Sequence, residues 1–418
     1  MSDVREALYS EDFKDKHRLS PTDFTRQRKL PFHLLVLFLA NFIKGSLQDE
    51  LDQCFQAIFK HDVPVRHITR SAISQARRKL SHRVFITLLD VVVRRLNLHP
   101  DLITFRGMRV FAIDGSTFRV PNNPVFAAEF GQTNTPKTNR AMAKFSIIHD
   151  VLNRLTYDAI LDTYGTSENA MAYQHLEEAD LPKGSLLLMD RFYNSGDLLN
   201  TILDQGHDFC VRLKSNLKIY KAFSRMGKND VLMPWKLLKD ESGKARTVRV
   251  VRYEAGGKVY VLATSLLDRR IASLLDLGDL YHQRWQVEES YKVKKCRIHI
   301  EEVRGLTPEI VRQDFHAKIF AECLTSALTL ELEPHVRRYS DHRENEYIVC
   351  LTQALAKMKN TIVLLLVRPR FDAMLRDLLA IFWASLTPCV PGRRYKRRHP
   401  GKNARKIQTN SMGYAKNR

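Results

Sequence analysis

The pattern of apolar and polar positions divides the 418-residue chain into three regions. Residues 1–100 carry apolar positions at helical spacing, and Pro31 before the apolar run Phe32–Ile43 predicts a buried helix with proline in its first turn. From about residue 104, short β-rich runs alternate with helical patterns. Residues 307–388 are again helical and mostly apolar. This order predicts an α/β core between two helical regions.

The central region contains a second change of pattern. Two apolar runs, Arg109–Asp114 and Ser185–Asp190, read as strands that each end in an acid. Hairpin-rich strands followed by alternating strands and helices indicate a mixed sheet covered by helices. Residues 215–258 interrupt this order because they are polar, basic and punctuated by glycine and proline. We expect an inserted β-rich subdomain there.

The charge of the chain indicates what kind of partner it binds. The chain has 67 Lys and Arg residues against 46 Asp and Glu, a formal net charge of +21, which favours a polyanionic partner. Residues 392–418 hold ten Lys or Arg residues and no acid, and predict a basic disordered tail. The six cysteines form no CxxC pair, and no apolar run approaches the ~20 residues that span a bilayer. We therefore expect reduced thiols, no zinc site and no membrane partner.

A candidate DNA-binding segment lies at His67–Leu80. A turn at Pro64 joins it to an earlier helical pattern, which is the outline of a helix-turn-helix. Its basic side chains could reach phosphates and base edges; they are Arg77, Arg78 and Lys79. The alternative is a solvated, arginine-rich helix.

A second helical stretch, from Leu277 to Lys295, carries a chemically unusual stripe. Four residues at offsets of 3, 7 and 14 fall within roughly 60° of each other on a helix: Tyr281, Arg284, Glu288 and Lys295. A carboxylate, two cations and a phenol on one face suit a site that handles metal and phosphate. The alternative is an amphipathic helix whose charged face is solvated and stabilised by i,i+4 pairs.

Three carboxylates point to metal chemistry. Asp114 and Asp190 each follow an apolar strand, where ligands collect in α/β sheets, although either acid alone could be a turn former. With Glu288 they could hold two Mg²⁺ or Mn²⁺ ions for phosphodiester chemistry. Basic residues nearby, Arg191 among them, would hold a nucleic-acid backbone. The order Asp, Asp, Glu on a sheet with a closing helix is the ribonuclease-H-like pattern.

Several motifs together resemble a known family. The helix matches a Tyr-x2-Arg-x3-Glu-x6-Lys signature, and Ile113–Pro121, Met189–Ser195 and Ala72–Leu80 resemble its other motifs. These are the motifs of bacterial insertion-sequence DDE transposases of the IS-four type, which include the Tn-five and Tn-ten transposases. The resemblance covers most of residues 30–330.

The resemblance implies a fold and a domain order. It implies a ribonuclease-H-like mixed-sheet core with the β-rich insertion, flanked by helical regions. The expected domains are a DNA-end-binding domain at 1–100, the catalytic core at 101–310 with its insertion at 215–258, a helical region at 311–391 that could mediate dimerisation, and the tail at 392–418. The protein would act in the bacterial cytoplasm, associated with the nucleoid.

It also implies an activity and roles for residues. Metal-dependent cleavage at transposon ends and strand transfer into target DNA would follow a cut-and-paste route through a hairpin. The partners would be double-stranded DNA, as terminal inverted repeats and target, and a second subunit in a synaptic dimer. The catalytic and metal-binding triad would be Asp114, Asp190 and Glu288. The DNA contacts would include Tyr281, Arg284, Lys295, Arg212 and Tyr260, the last stacking on an extruded base.

Two other activities remain open at this stage. One is an inactive DNA-binding or regulatory relative, and the other is a hydrolytic nuclease of the same fold. We expect Trp285 to lie in the core and Glu289 to point away from the Glu288 stripe. We expect surface or capping roles for three further acids, Asp162, Glu168 and Asp197.

Overall fold

The computed structural model describes residues 1–26, 28–133 and 139–390, and the tail predicted at 392–418 lies outside them. The N-terminal region is helical, as expected from its apolar spacing. Its helices are α1 (Ser2–Tyr9), α2 (Glu11–His17), α3 (Phe32–Leu39), α4 (Leu47–Phe59), α5 (Arg70–Arg77) and α6 (Arg83–Asn97).

The central region alternates strands and helices. In chain order they are β1 (Val110–Arg119), α7 (Pro124–Phe130), β2 (Met142–Asp150), β3 (Leu155–Thr163), α8 (Glu168–Glu178), β4 (Leu186–Met189), α9 (Gly196–Asp204), β5 (Asp208–Arg212), α10 (Lys218–Arg225), β6 (Asp230–Lys239), β7 (Ala245–Ala255) and β8 (Lys258–Thr264). A single 3-10 turn, Arg191–Tyr193, follows β4.

The remaining residues are mostly helical. The elements are α11 (Leu274–Gln283), α12 (Trp285–Cys296), α13 (Pro308–Leu330), α14 (Glu333–Ser340), β9 (Tyr347–Val349), α15 (Leu351–Met358), α16 (Thr361–Val367), α17 (Asp372–Ala384) and β10 (Leu386–Pro388). Among the described residues, none of these helices combines the length and hydrophobicity that crossing a bilayer requires.

The strands of the central region form one mixed sheet, in which their order is β3-β2-β1-β4-β5-β8-β7-β6. β1, β4 and β5 run parallel to one another, whereas β8 is antiparallel to β5 and β7 is antiparallel to β8. The order of the first five positions is the ribonuclease-H-like arrangement, and the predicted fold class is confirmed. The region predicted as a β-rich insertion contains β6 and β7, and these strands extend the sheet because β7 pairs along the whole of β8.

The described chain divides into two compact units. One contains residues 102–117 and 144–292, and therefore most of the sheet with α8 to α11. The other contains residues 1–101, 118–143 and those from 293 onward. In this second unit α6 packs against α13, which is almost entirely buried. The N-terminal and C-terminal helical regions thus share one core.

Local capping explains where several helices begin. The Ser167 hydroxyl accepts from Ala170 N and caps the start of α8. Ser273 and Asp276 form a reciprocal capping box at α11. Thr307 caps α13 in front of a proline in its first turn.

The predicted helix-turn-helix differs from the structure. Helix α4 ends at Lys60, whose backbone is left-handed (φ 58°), and α5 begins only at Arg70. Residues 60–69 are much longer than the ~3–4-residue turn of that motif. Lys60 and the extended path through Pro64 therefore separate the two helices.

Candidate active site

Strand register brings the two aspartates together. In the parallel pair of β1 and β4, Ala112 lies opposite Leu188. Asp114 lies two residues after Ala112 within β1, and Asp190 directly follows Met189, the last residue of β4. Neighbouring strands are only ~4.8 Å apart, so this pairing brings the two acids into the same part of the sheet, and the charges of both act on Tyr193 and Arg284. Asp114 lies inside β1 rather than at its end, because the strand continues to Arg119.

The helix that carries Glu288 is tightened at Arg284. Arg284 N donates to Tyr281 O at 3.2 Å and Val287 N donates to Arg284 O at 3.1 Å, so the i→i+3 bonds of a 3-10 turn separate α11 from α12. The stretch predicted as one helix is therefore two nearly continuous ones. The Arg284 guanidinium is buried and donates to Glu288 Oε1 at 2.9 Å.

Arg284 is a positive charge shared by the three predicted catalytic acids. Burial lowers the pKa of its guanidinium, but the Tyr281 phenol, the bonded Glu288 carboxylate and the charges of Asp114 and Asp190 raise that pKa by more. All five residues belong to the same unit. The electrostatic interactions thus connect the strand acids with the helix acid through one arginine.

Asp114 is the most strongly perturbed of these acids. Burial raises the pKa of its carboxyl to about 6. The charge of Arg284 lowers this pKa, while those of Glu168 and Glu288 raise it further. A carboxyl in this environment is costly to ionise unless a cation compensates its charge, which is typical of functional sites.

Phenols surround the acids. The hydroxyls of Tyr193 and Tyr281 are buried and have no hydrogen-bond partner among the described residues. Burial raises the pKa of the Tyr193 phenol well above its ordinary value, and the charges of Asp114, Glu168 and Asp190 act in the same direction. Both phenols therefore remain protonated, and their hydroxyls can donate hydrogen bonds close to the negatively charged acids.

A basic cavity lies beside the second aspartate. It has a volume of about 370 Å³, and its lining includes Arg191, Phe192, Arg212 and Lys214, with no acid among the described lining residues. Phe192 is 54% exposed, and the ammonium of Lys214 lies 5.1 Å from its ring centroid. Cations around an exposed aromatic ring are a common arrangement for holding single-stranded nucleic acid.

Tyr260 is engaged within the sheet. Its ring stacks on that of Tyr253, its cross-strand partner, with the centroids 5.1 Å apart. The Arg212 guanidinium lies 4.8 Å from the Tyr260 centroid. Stacking of a base on Tyr260 would therefore have to replace one of these contacts.

The remaining predicted DNA contacts lie in the other unit. There the Lys295 ammonium is 3.6 Å from a Glu301 carboxylate oxygen. Arg78 is exposed, and Lys79 is partly exposed and paired with Asp23 at 3.1 Å. Arg77, in contrast, is 2% exposed. Its guanidinium is bonded to α13, so the prediction that it contacts DNA is wrong.

Three comparisons with known proteins bear on this site. Residues 105–324 match the family model described as "Transposase DDE domain", which is more than half of the chain. The chain belongs to the transposase DDE domain family. The matched range contains Asp114, Asp190 and Glu288.

Two relatives found by sequence agree with this assignment. Over 341 residues the chain is 26% identical to "Transposase InsG for insertion sequence element IS4" of Escherichia coli (strain K12), covering 77% of this chain and 74% of that protein. Over 144 residues it is 28% identical to "Putative transposase InsZ" of the same strain, covering 33% of this chain and 47% of that protein. A cryo-EM structure of a piggyBac transposase synaptic complex with hairpin DNA aligns with 96% of this chain and 91% of that one, at 11% identity and a TM-score of 0.46.

The protein is thus a DNA transposase, an enzyme that cleaves and transfers DNA strands, and its chemistry uses divalent metal ions. The residues fit such ions by their chemistry, because carboxylate oxygens are the ligands that Mg²⁺ prefers. Within the described part of the transposase, no group of three or more His, Cys, Asp or Glu side chains is close enough to hold an ion.

Two expectations about side chains near the site need correction. Trp285 was expected in the core but is 45% exposed, because it begins α12 on the face opposite Val287, which is fully buried. Glu168 was expected to be a surface or capping acid. Its Cγ is instead 3.2 Å from the position that a Cβ on Gly115 would take.

Glu168 is therefore a fourth acid near Asp114 that the motifs do not contain. The only trace of it in the sequence is Gly115, which directly follows Asp114 and leaves room for the Glu168 side chain. Glu289, as expected, points away from the site: it is exposed and pairs with Lys292.

Proposed function

We propose that Asp114, Asp190 and Glu288 are the catalytic carboxylates of this transposase and that together they hold two Mg²⁺ or Mn²⁺ ions. The parallel pairing of β1, which contains Asp114, with β4, which Asp190 directly follows, carries this proposal. Bound metal would activate the attacking water or 3′-hydroxyl and stabilise the leaving oxygen. The side chains themselves bind and orient: Arg284 donates to Glu288 Oε1 and would hold that carboxylate in place.

The surrounding cations would hold the DNA strand. The cavity beside Asp190 supports this, since Arg191 and Arg212 line it together with Lys214. We place the cut strand against this cavity and against the face of Tyr281 and Arg284. Tyr260 would join this interface if DNA displaces Tyr253 from it. Lys295, in the other unit, would contact DNA if DNA displaces Glu301 from it.

Binding of the terminal repeats would use the other unit. Arg78 and Lys79 lie at the end of α5, next to a cavity of about 1120 Å³ whose lining includes Lys14, Arg28 and Lys79. Exposed cations of this kind contact phosphates and contribute affinity that depends on salt. We propose this face as the contact with transposon ends in a synaptic dimer of the cytoplasmic, nucleoid-associated protein.

The reaction would proceed by cleavage, hairpin formation at the transposon end and insertion into target DNA. The test incubates the full chain with labelled DNA carrying the element's ends, with and without Mg²⁺. Wild-type protein should give nicks, then hairpins and joined products, and Asp190→Asn should give none. Nicks without hairpins or joined products would indicate a nuclease instead. Metal-independent products, or an active Asp190→Asn variant, would refute the metal-site assignment.

A further inference from the structure

A buried chain of hydrogen bonds ends on the backbone of Asp114. Ser146, on β2, donates from its hydroxyl to Asp114 O at 3.0 Å. His175, on α8, is fully buried and has its Nε2 3.0 Å from Ser146 Oγ. The other ring nitrogen, Nδ1, lies 2.5 Å from Asp158 Oδ2 on β3. Three polar side chains from three elements of one unit thus form a single line that stops at a proposed catalytic residue.

The direction of each bond follows from a count of donors. The only hydroxyl proton of Ser146 is used on Asp114 O, so Ser146 Oγ accepts from His175 Nε2. The Asp158 carboxylate accepts from His175 Nδ1. Ser146 Oγ and both ring nitrogens of His175 thus have hydrogen-bond partners, which a buried network requires in order to be rigid.

The same carbonyl oxygen accepts a second side-chain bond. The Tyr291 hydroxyl donates to Asp114 O at 2.5 Å. Burial raises the pKa of this phenol well above its ordinary value, with the charge of Asp114 the next contribution, so Tyr291 remains a donor. Tyr291 lies three residues after Glu288 on α12. Asp114 O is therefore the point at which the strand bearing one acid is tied to the helix bearing another.

Neither bond is needed to fill the interior. A buried serine and histidine are costly unless paired, and apolar residues of similar size would pack there without that cost. What the polar line provides is a fixed backbone at Asp114, whose carboxyl is itself expensive to ionise. Hydrogen-bonded partners that orient metal ligands typically change metal affinity or activity by ~10–100-fold when they are removed.

We propose that Asp158, His175 and Ser146 are positioning residues that, with Tyr291, fix Asp114 for divalent-metal binding and cleavage. The inference rests on the proposed function of Asp114 as a metal ligand. The line acts as a unit, because Asp158 orients the ring, the ring orients the serine hydroxyl, and the hydroxyl holds the carbonyl. Substitution of any one of these residues should therefore weaken metal binding, although none of them is proposed to contact the metal or the DNA.

The test compares Ser146→Ala with a matched control in the same unit. Thr264 Oγ1 also makes a buried side-chain bond to a strand carbonyl, donating to Phe209 O at 2.7 Å, remote in the sheet from Asp114. Thr264→Val therefore removes the same kind of bond without affecting the acids. Mn²⁺ binding to the full chain is measured by electron paramagnetic resonance, along with the thermal midpoint and the Mg²⁺ dependence of cleavage.

We expect Ser146→Ala to weaken Mn²⁺ binding and to raise the Mg²⁺ concentration for half-maximal cleavage by roughly 10-fold or more. Thr264→Val should leave both unchanged at a similar thermal midpoint. Asp158→Asn should act in the same direction as Ser146→Ala, and Ser146→Thr, which keeps the hydroxyl, should restore binding.

Equal metal binding by wild type, Ser146→Ala and Asp158→Asn would overturn the inference, as would equal losses in Ser146→Ala and Thr264→Val. Asp114→Asn separates this result from failure of the proposed function. If Asp114→Asn binds Mn²⁺ as wild type does, Asp114 is not a ligand. If Asp114→Asn loses Mn²⁺ binding while Ser146→Ala and Asp158→Asn retain it, only the proposed positioning role is refuted.

Discussion

Substitution by alanine should have different effects at two adjacent arginines. At Arg77 it should lower the stability of the fold, and at Arg78 it should weaken DNA binding. Arg77 donates to Gln313 Oε1 at 3.0 Å, to Asp314 Oδ1 at 2.6 Å and to Ile310 O at 3.1 Å. Its alanine variant leaves the 8%-exposed Asp314 carboxylate without its counterion. Breaking one partner of a buried pair costs ~3–5 kcal/mol.

The lower end of that range applies here. Asp314 Oδ2 still accepts from Arg304 N at 2.7 Å in the variant, so its charge keeps one donor. We expect a loss of ~3 kcal/mol, and a fall in the thermal midpoint of ~6–12 °C at the ~2–4 °C per kcal/mol typical of large domains. The double substitution Arg77→Met with Asp314→Leu removes both charges and should recover most of this loss.

Arg78→Ala is the matched control, because the neighbouring side chain is exposed. Its stability should stay within ~0.5 kcal/mol of wild type, while binding to a transposon-end duplex weakens and the salt slope falls by about one. Thermal unfolding and fluorescence anisotropy over a salt series measure the two effects. An Arg77→Ala protein that is as stable as wild type but cannot bind ends would refute the structural role of Arg77.

Three further outcomes are expected. Glu288→Gln should abolish cleavage in the labelled-DNA assay but preserve end binding, whereas Glu289→Gln should cleave normally because that side chain is exposed and remote from the stripe; equal activities would contradict the assignment. Burial raises the pKa of Asp114 to about 6 in the folded state, above its ordinary value of 3.8, so the native state binds this proton more tightly. The stability contributed by the group therefore falls as pH rises from about 4 to 6. In EDTA at pH 7, Asp114→Asn should therefore be more stable than wild type by up to ~3 kcal/mol, a gap that closes as the pH of a denaturation series falls below 6; a pH-independent difference would be inconsistent with the raised pKa. Gly196→Ala should destabilise the sheet unit by ~1–3 kcal/mol in chemical denaturation, since its Cβ would lie 2.4 Å from Leu237 O, and an unchanged midpoint would show that this backbone can move.

The sequence alone determined the local elements and the identity of the acids. Helical spacing, strand alternation and caps such as Ser167 depend on residues close together in the chain. The motif spacing around Asp114, Asp190 and Glu288 was equally visible, because those residues lie within short characteristic segments. The family match over residues 105–324 agrees with the family that those motifs indicate.

Only the tertiary structure decided which side chains are buried and which meet. Arg77 and Arg78 look alike in the sequence. What distinguishes them is the bond of Arg77 to Asp314, which lies more than two hundred residues away in the chain. Glu168 reaches Asp114 only because α8 begins next to Gly115. The hydrogen bonds from Asp158 through His175 to Ser146 join β3, α8 and β2. The order of these elements in the chain does not show which of their side chains meet. Burial and pairing depend on contacts between distant segments, and no local pattern specifies them.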